Sequence, residues 1–254
     1  MIWTHSLNPV AFSFGFLEIH WYGLAYAVAF LLAYLWLRYL AKIRGTVFSV
    51  MQIDELVFAV VLGVVVGGRL GYFIFYHPDQ LFSFEFFQVW HGGMSFHGGL
   101  IGVVSAIFWM SRKFQRPFFE ISDLLVLPTA LGLMLGRIGN FINGELWGRP
   151  TGMDFGVIFP HAGDVLPRHP SQIYEALKNL LIAMILFFTF RRKMRTGTSS
   201  FLFLILYGVG RIIVEQLWRE PLDGYYYGVT RGSFFSIPVL LMGIVGIIWI
   251  YRKK

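Results

Sequence analysis

The sequence predicts an all-α protein that crosses a membrane with seven transmembrane helices. Three observations predict this class: the apolar composition, seven long apolar stretches, and basic residues that follow every second stretch. Of the 254 residues, 56% are hydrophobic and only 14% are charged, and the mean hydropathy is +0.63. An average soluble domain has about 25% charged residues. So few charges cannot cover a soluble surface, which excludes soluble, disordered and nucleic-acid-binding classes.

Each of the seven apolar stretches is long enough to cross the bilayer, which takes about 20 mostly apolar residues in a helix. In chain order the predicted spans are approximately 18–39, 55–76, 93–110, 121–142, 172–190, 199–218 and 234–251. We expect residues 1–254 to form a single integral membrane domain. Residues 144–170, between spans four and five, are rich in glycine and proline. They predict either a small outer-side cap of turns and short strands or a plain connecting loop.

The basic residues orient these spans. Clusters of three or four Lys and Arg follow spans one, three, five and seven and contain 13 of the 21 basic residues, whereas residues 77–92 contain none. Cytoplasmic loops carry such an excess, so we expect the N-terminus outside and the C-terminus in the cytoplasm. Topology thus explains most of the net charge of +7, which argues against a nucleic-acid partner. The absence of cysteine excludes disulfides, thiolate metal sites and catalysis by a thiol of this chain.

Three further basic residues lie inside spans in similar surroundings: Arg69 in GGRLGYF, Arg137 in LGRIGNF and Arg211 in GVGRIIVE. At 1.5 Å per residue, each is about 18–24 Å from the cytoplasmic edge, in the outer half of the bilayer. A charged residue in a span is costly and usually faces a partner or a cavity. Each arginine could pair with a carboxylate such as Glu175 or Glu215. Three at one depth favour a shared anionic ligand, because guanidinium groups bind phosphate in a bidentate manner.

The densest polar motif is GRIGNFINGELWG at residues 136–148, where span four leaves the membrane. Helix interiors disfavour Gly and Asn, so we expect the helix to break near Gly139 or Gly144 and to present polar side chains to a cavity. Arg137 and Asn140 are three residues apart and share a helix face, whereas Glu145 lies beyond them. The alternative is a capped helix end without further function.

This motif resembles the signature of the bacterial prolipoprotein diacylglyceryl transferases, G-R-x-G-N-F-x-N-x-E-x-x-G, at every fixed position. Four other segments are similar to the same family: HWYG at 20–23, GGMSFHGGLIG at 92–102, HPSQIYE at 169–175 and RIIVEQLWREP at 211–221. The resemblance therefore extends from the first span to the last. The chain departs from the family pattern at Leu222, which separates Pro221 from Asp223, and at Ser233, where the family often has glutamine.

The resemblance implies an enzyme of the bacterial inner (cytoplasmic) membrane whose active site faces the outer, periplasmic side. It implies transfer of the diacylglyceryl group of phosphatidylglycerol to the lipobox cysteine beside the signal peptide of a prolipoprotein. Glycerol phosphate is released, and the reaction is the first step of lipoprotein maturation. The substrate then supplies the thiol that this chain lacks. No metal-ligand spacing and no nucleotide motif is present, so we expect no cofactor.

Thiol activation and phosphate binding are the two chemical requirements of this reaction. A thiol of pKa about 8.5 is mostly protonated at neutral pH, and His97, between two pairs of glycines, is the first candidate for a general base. A purely structural histidine is one alternative, and a base at Arg219 or at a carboxylate near it is another. Arg137 and Arg219 are expected to contact the phosphate or the developing charge.

The remaining candidates position these groups. Asn140 and Glu145 are expected to orient the arginines, and Tyr22 either donates its hydroxyl to the substrate or anchors the chain at the interface. The predicted catalytic residues are His97, Arg137, Arg219, Tyr22, Asn140 and Glu145, and the predicted phosphatidylglycerol-binding residues are Arg137, Asn140, Asn143, Gly98, Gly148, Arg69 and Arg211.

Two other classes fit part of the pattern. Transporters also contain repeats and broken, glycine-rich helices, but here the polar residues gather on the outer side and not at the midplane. A non-catalytic phospholipid-binding protein would need the arginines but neither His97 nor Asn140 and Glu145. A mass gain on the cysteine of a lipobox peptide supplied with phosphatidylglycerol would separate the enzyme from both alternatives.

Overall fold

The computed structural model describes residues 1–15, 17–44, 48–81, 83–88, 92–192, 194–221 and 224–252, without the side chains of residue 17 and residues 41–44. Within these ranges the chain forms seven long helices, one for each predicted span and with ends within five residues of the predicted ones. They are α1 (Trp21–Arg44), α2 (Val50–Tyr76), α3 (Phe96–Lys113), α4 (Phe118–Ile142), α5 (Ser171–Arg191), α6 (Thr198–Leu217) and α7 (Arg231–Arg252). Leu222 and Asp223, where the family pattern changes, lie outside the described residues.

Six of these helices are long and apolar enough to cross a membrane: α1, by residues Trp21–Leu40, and α2, α4, α5, α6 and α7. The exception is α3, which has 18 residues and carries Arg112 and Lys113 in its last turn. The described part of the chain is therefore a mainly helical, multi-pass membrane protein, as the composition predicts. That α3 is a seventh span stays a prediction.

Short strands outside the helices form three two-stranded sheets in the described ranges. They are the parallel pair β1 (Ile2–Thr4) and β4 (Gly156–Ile158), and the antiparallel pairs β2 (Val10–Phe14) with β3 (Leu17–His20) and β5 (Tyr225–Tyr226) with β6 (Val229–Thr230). The first span was predicted from residue 18, but residues 17–20 pair with β2. The helix therefore begins only at Trp21.

Local hydrogen bonds explain where several helices begin and end. At the start of α2, the Ser49 hydroxyl accepts the Gln52 N–H at 3.2 Å and the Gln52 side chain accepts the Ser49 N–H at 2.8 Å, which forms a capping box. Helix α4 continues through Gly139 and ends at Ile142. Gly144 then adopts a left-handed φ of 66°. Of the two predicted break points, only Gly144 is one.

The chain divides into a larger unit, residues 1–31 and 125–254, and a smaller unit, residues 32–124. In the smaller unit, α2 and α3 touch through glycines. A Cβ built on Gly98 would lie 2.2 Å from the carbonyl oxygen of Gly67, and one built on Gly102 would lie 1.9 Å from that of Gly63. No side chain fits there, so backbone packs directly on backbone. This contact fixes the first turn of α3, which carries His97.

Candidate active site

A buried carboxylate on α5 contacts three cationic side chains from α4, α5 and α6. Glu175 is fully buried. Its Oε1 lies 2.9 Å from Arg211 Nη1, and its Oε2 lies 2.8 Å from Lys178 Nζ and 3.7 Å from Arg137 Nε. Glu175 therefore joins three helices of the larger unit through opposite charges.

A second carboxylate extends this set beyond the end of α6. Glu215 Oε2 lies 2.9 Å from Arg211 Nη2 and 3.6 Å from Arg219 Nε. Because Arg211 contacts both carboxylates, the side chains form one continuous group. We call this group the ionic cluster, and its members are Arg137, Glu175, Lys178, Arg211, Glu215 and Arg219. The alternative that a span arginine pairs with Glu175 or Glu215 is thus observed for Arg137 and Arg211, while the favoured interpretation, a shared anionic ligand, stays a prediction.

The ionic cluster carries more positive than negative charge. Among the residues that the structure describes, four cations face two carboxylates in this cluster, so two positive charges are in excess. No side chain in the cluster is more than 18% exposed. Buried charge without a counter-charge is strongly unfavourable. The arrangement is therefore suited to an anionic ligand, and Arg137 is its most exposed cation.

The signature motif connects Arg137 to a third carboxylate through amide side chains. Arg137 Nη1 donates to Asn140 Oδ1 at 3.3 Å, and Asn140 Nδ2 donates to Glu145 Oε1 at 2.8 Å. Asn143 Nδ2 donates to the same Glu145 oxygen at 3.2 Å. This chain of hydrogen bonds lies within a single turn of α4 and the residues just after it, because Arg137 and Asn140 share one helix face. It holds the Arg137 guanidinium in one orientation.

Tyr22 lies directly against this turn. A Cβ built on Gly139 would lie 2.8 Å from Tyr22 Cδ2, so the ring rests where that glycine leaves space. The Tyr22 hydroxyl is 3.2 Å from that of Tyr26. The structure therefore places Tyr22 against the turn of α4 that carries Arg137 and Asn140, and its role at the site stays a prediction.

Backbone contacts of residues 147–149 hold Arg219 at the end of the ionic cluster. A Cβ built on Gly148 would lie 2.5 Å from the carbonyl oxygens of His169 and Trp218, so only glycine fits. The next residue, Arg149, donates from its backbone N–H to Trp218 O at 2.8 Å and from Nε to Arg219 O at 2.9 Å. Burial, together with the charges of Arg211 and Arg137, lowers the pKa of the Arg219 guanidinium to about 10.

Arg69, in the smaller unit, has different partners from Arg137 and Arg211. It is 5% exposed, and its five N–H donors are all used by backbone carbonyls. Nε donates to Phe86 O at 3.0 Å, and Nη1 and Nη2 donate to Gly93 O at 3.0 Å and Gln88 O at 3.1 Å. The carbonyls of Glu85 and Gly92 accept the other two. Arg69 thus holds the described residues 85–88 and 92–93 in place through their carbonyl groups. Its contact with an anionic ligand stays a prediction.

His97 lies in the smaller unit, in the first turn of α3. Ser95 caps this helix by accepting the Gly98 N–H at 3.3 Å. The His97 side chain is exposed, whereas Gly98 is buried against α2. The imidazole is thus presented at a helix end whose backbone is fixed. Its role as a base and the contact of Gly98 with lipid stay predictions.

Lys178 is the cluster residue to which the sequence analysis gave no role. Its Nζ is bound to Glu175 and lies 4.4 Å from the centroid of the Tyr207 ring. Its aliphatic stem crosses Gly210, where a Cβ would lie 2.6 Å from Lys178 Cδ. Glu and Lys three residues apart inside an apolar span are neighbours on one helix face. That spacing in EALK, at 175–178, was the available signal.

Apolar helices around a buried, net positive side-chain cluster define a class: a multi-pass membrane protein with a charged intramembrane site. The model of the prolipoprotein diacylglyceryl transferase family matches residues 9–249, nearly the whole chain. The chain therefore belongs to the prolipoprotein diacylglyceryl transferase family. This confirms the resemblance carried by the GRIGNFINGELWG motif and makes the protein a transferase.

Full-length relatives support the same assignment. The chain is 44% identical over 263 residues to a protein of Dechloromonas aromatica, which covers all of this chain and 99% of the relative. It is 44% identical over 255 residues to a Vibrio cholerae protein, and the match covers 98% of this chain and 93% of the relative. It is 42% identical over 261 residues to a Coxiella burnetii protein, and the match covers 100% of this chain and 99% of the relative. Each relative is named phosphatidylglycerol–prolipoprotein diacylglyceryl transferase.

Proposed function

We propose that this chain transfers the diacylglyceryl group of phosphatidylglycerol to the lipobox cysteine of a prolipoprotein and releases glycerol phosphate. One observation carries the proposal: the ionic cluster holds two more cations than carboxylates, buried among apolar helices. A phospholipid brings a phosphate to a protein from the bilayer itself. Such a phosphate can supply the negative charge that the carboxylates of the cluster do not.

Arg137 is the principal phosphate ligand in this proposal. Its Nε is 3.7 Å from Glu175, longer than a strong charged hydrogen bond, and only Nη1 donates within the described part of the chain. Nη2 is therefore available to a phosphate oxygen. Arg211 and Arg219 add positive charge next to it, and Asn140, Asn143 and Glu145 keep the guanidinium in place. This charge stabilises the phosphate that leaves.

In the reaction, the cysteine sulfur attacks the glyceryl carbon bonded to the phosphate oxygen. The carbon–sulfur bond forms, the carbon–oxygen bond breaks, and glycerol phosphate departs with the bonding electrons. A base takes the thiol proton, and we assign that role to His97, whose exposed imidazole stands at a fixed helix end. The hydroxyl of Tyr22 is available to the substrate in this proposal. Gly98 and Gly148 act by holding α3 and the end of α6 through close backbone packing.

We infer that the chain lies in the bacterial inner membrane with seven spans, the N-terminus outside and the site towards the periplasm. The basic clusters that follow α1, α3, α5 and α7 support this orientation. Residues 1–254 then form one membrane domain, and residues 144–170 form a cap on the outer side. Because the chain has no cysteine, Ser13→Cys and Thr196→Cys provide single labelling sites. An impermeant thiol reagent applied to intact spheroplasts should label only the first, and labelling of the second would overturn the orientation.

The activity is tested with purified protein, phosphatidylglycerol and a lipobox peptide. We expect a mass gain of one diacylglyceryl group on the peptide cysteine, and none on a Cys→Ser peptide. His97→Gln should lower turnover about 10²–10⁴-fold, whereas Arg191→Gln, at the end of α5 away from the cluster, should leave it unchanged. No mass gain with correctly folded wild-type protein would overturn the proposal and favour a transporter or a lipid-binding protein. Near wild-type turnover by His97→Gln would overturn only the assignment of the base.

A further inference from the structure

The end of α3 opposite to His97 borders a groove that the proposed reaction does not use. A cavity of about 740 Å³ lies between the second half of α3 and the start of α4. Its walls are largely apolar, and Phe108 and Trp109 are 52% and 69% exposed. A second cavity of about 470 Å³ shares Phe108, Arg112 and Phe118 with the first and continues to Arg116 and Pro117. We call the two together the α3–α4 groove.

The depth of this groove follows from the proposed role of α3 as the seventh span, on which this inference rests. Eighteen residues at 1.5 Å each give about 27 Å, which is close to the thickness of the hydrocarbon core. The apolar part, at Val104, Phe108 and Trp109, then lies at the depth of acyl chains. The part near Arg112, Arg116 and Pro117 lies at the depth of lipid headgroups. A groove that spans these two depths offers an apolar part to an acyl chain and a polar part to a headgroup.

The charges around the headgroup end favour an anion. Lys113 is 2.9 Å from Glu55, and Arg116 is 3.6 Å from Glu120, so both are paired. Arg112 has no carboxylate within 4 Å in the described part of the chain, and its guanidinium lies 5.0 Å from the centroid of the Phe108 ring. The start of α4, at Phe118, adds the positive end of a helix dipole. An unpaired guanidinium beside a helix N-terminus attracts phosphate.

We propose that the α3–α4 groove binds one anionic phospholipid. An acyl chain packs along Val104, Phe108 and Trp109, and the phosphate is bound by Arg112 with Arg116 beside it. The groove shares no residue with the ionic cluster. Its lipid packs between α3 and the start of α4.

The headgroup contact is tested by native mass spectrometry in detergent. The probe is phosphatidylserine, which is anionic but is not the proposed substrate, with phosphatidylcholine of the same acyl chains for comparison. We expect Arg112→Gln/Arg116→Gln to bind phosphatidylserine about tenfold more weakly than the wild type, and to lose less affinity for phosphatidylcholine, whose choline cation offsets its phosphate charge. Arg191→Gln is the matched control, because Arg191 ends α5 and lies over Phe187 (5.7 Å) as Arg112 lies over Phe108. Equal retention of phosphatidylserine by the double variant and the wild type would overturn the proposal.

The acyl-chain contact is tested on protein with intact arginines, which removes any effect of the double variant on folding. Trp109 lies in the groove and is a natural fluorophore. Phosphatidylserine with brominated acyl chains should quench part of the tryptophan emission of the wild type. Trp109→Phe should lose that part, while phosphatidylcholine with the same chains quenches it several-fold less. Equal quenching in the wild type and Trp109→Phe, or equal quenching by both lipids, would contradict the proposal.

Discussion

Arg69 and Arg137 occur in similar sequences, yet their surroundings in the molecule differ in kind. Arg69 donates to five backbone carbonyls of residues 85–93 and is 5% exposed. Arg137 contacts one carboxylate at 3.7 Å and one amide oxygen at 3.3 Å and is 18% exposed. All N–H donors of Arg69 are occupied, whereas Arg137 retains donors and belongs to a cluster with excess positive charge. The first arrangement supports structure, and the second is available for a ligand.

The largest effect is expected at the carboxylate that holds the ionic cluster together. Glu175→Gln leaves Lys178, Arg137 and Arg211 without their shared counter-charge in a buried environment. Removing one partner of a buried ion pair costs about 3–5 kcal/mol. The variant should therefore unfold in detergent at a much lower temperature than the wild type, and turnover should be lost. Thermal unfolding measured by circular dichroism tests the first expectation.

Glu55→Gln provides the control for Glu175→Gln. Glu55 also pairs with a lysine, Lys113 at 2.9 Å, but it is 33% exposed. A surface pair contributes only about 0–1 kcal/mol. Equal unfolding of the two variants would mean that the burial of the cluster does not determine its stability.

The next effect concerns chemistry more than stability. Arg137→Gln removes the proposed phosphate ligand but keeps a side chain that hydrogen-bonds. Loss of one preorganised donor to a developing charge reduces turnover about 10²–10³-fold. Because Arg137 is the most exposed cation of the cluster, unfolding should change little. Steady-state kinetics with phosphatidylglycerol and a lipobox peptide, together with thermal unfolding, separates the two effects.

Arg69→Gln should show the reverse. It leaves most of five carbonyl groups without their donor, and an unsatisfied buried group costs about 1–3 kcal/mol. The unfolding temperature of this variant should therefore be lower than that of the wild type. Turnover per folded molecule should fall less than tenfold, since backbone carbonyls already occupy every N–H donor of Arg69. If Arg69→Gln lost turnover like Arg137→Gln while staying equally stable, Arg69 would be a ligand residue and the comparison would fail.

These two arginines also show how far the sequence carries. Apolar length predicted all seven helices, because that signal is local and strong. The pairing of residues 2–4 with 156–158 depends on distant backbone and has no local pattern. Likewise the similar segments GGRLGYF and LGRIGNF suggested equal roles for the two arginines. The acceptors of Arg69 come from a loop some 20 residues away, so the local sequence does not reveal them. The Arg137, Asn140 and Glu145 contacts were predictable, because they arise within one helical turn and the residues after it.

A smaller effect is expected where α2 and α3 touch in the unit that Arg69 stabilises. Gly98→Ala places a Cβ 2.2 Å from the Gly67 carbonyl oxygen, which forces the helices apart. Such overpacking costs about 1–3 kcal/mol. Gly99→Ala is the matched control, because its Cβ would lie 3.7 Å from the nearest atom, Val64 O, an ordinary contact. Alanine also favours the helix, so Gly99→Ala should be neutral or slightly stabilising. Similar unfolding of both variants would show that the glycine contact is not tight in solution.

The smallest effect is expected at an arginine whose carboxylate partner is exposed. Arg168 Nη2 lies 2.6 Å from Asp164 Oδ2, and this bond lowers the pKa of the Asp164 carboxyl below its usual 3.8. Because the folded-state pKa is depressed, the contribution to stability is complete above pH 3.8 and is lost as the pH falls through the lower, folded value. Asp164→Asn should therefore weaken hydrogen-exchange protection near Arg168 slightly at pH 6 and not at all at low pH. The effect is small because water screens the exposed carboxylate, and Arg168 keeps its contact with Glu220 at 2.9 Å. A loss of protection as large as that in Glu175→Gln would mean that exposure does not separate this pair from the ionic cluster.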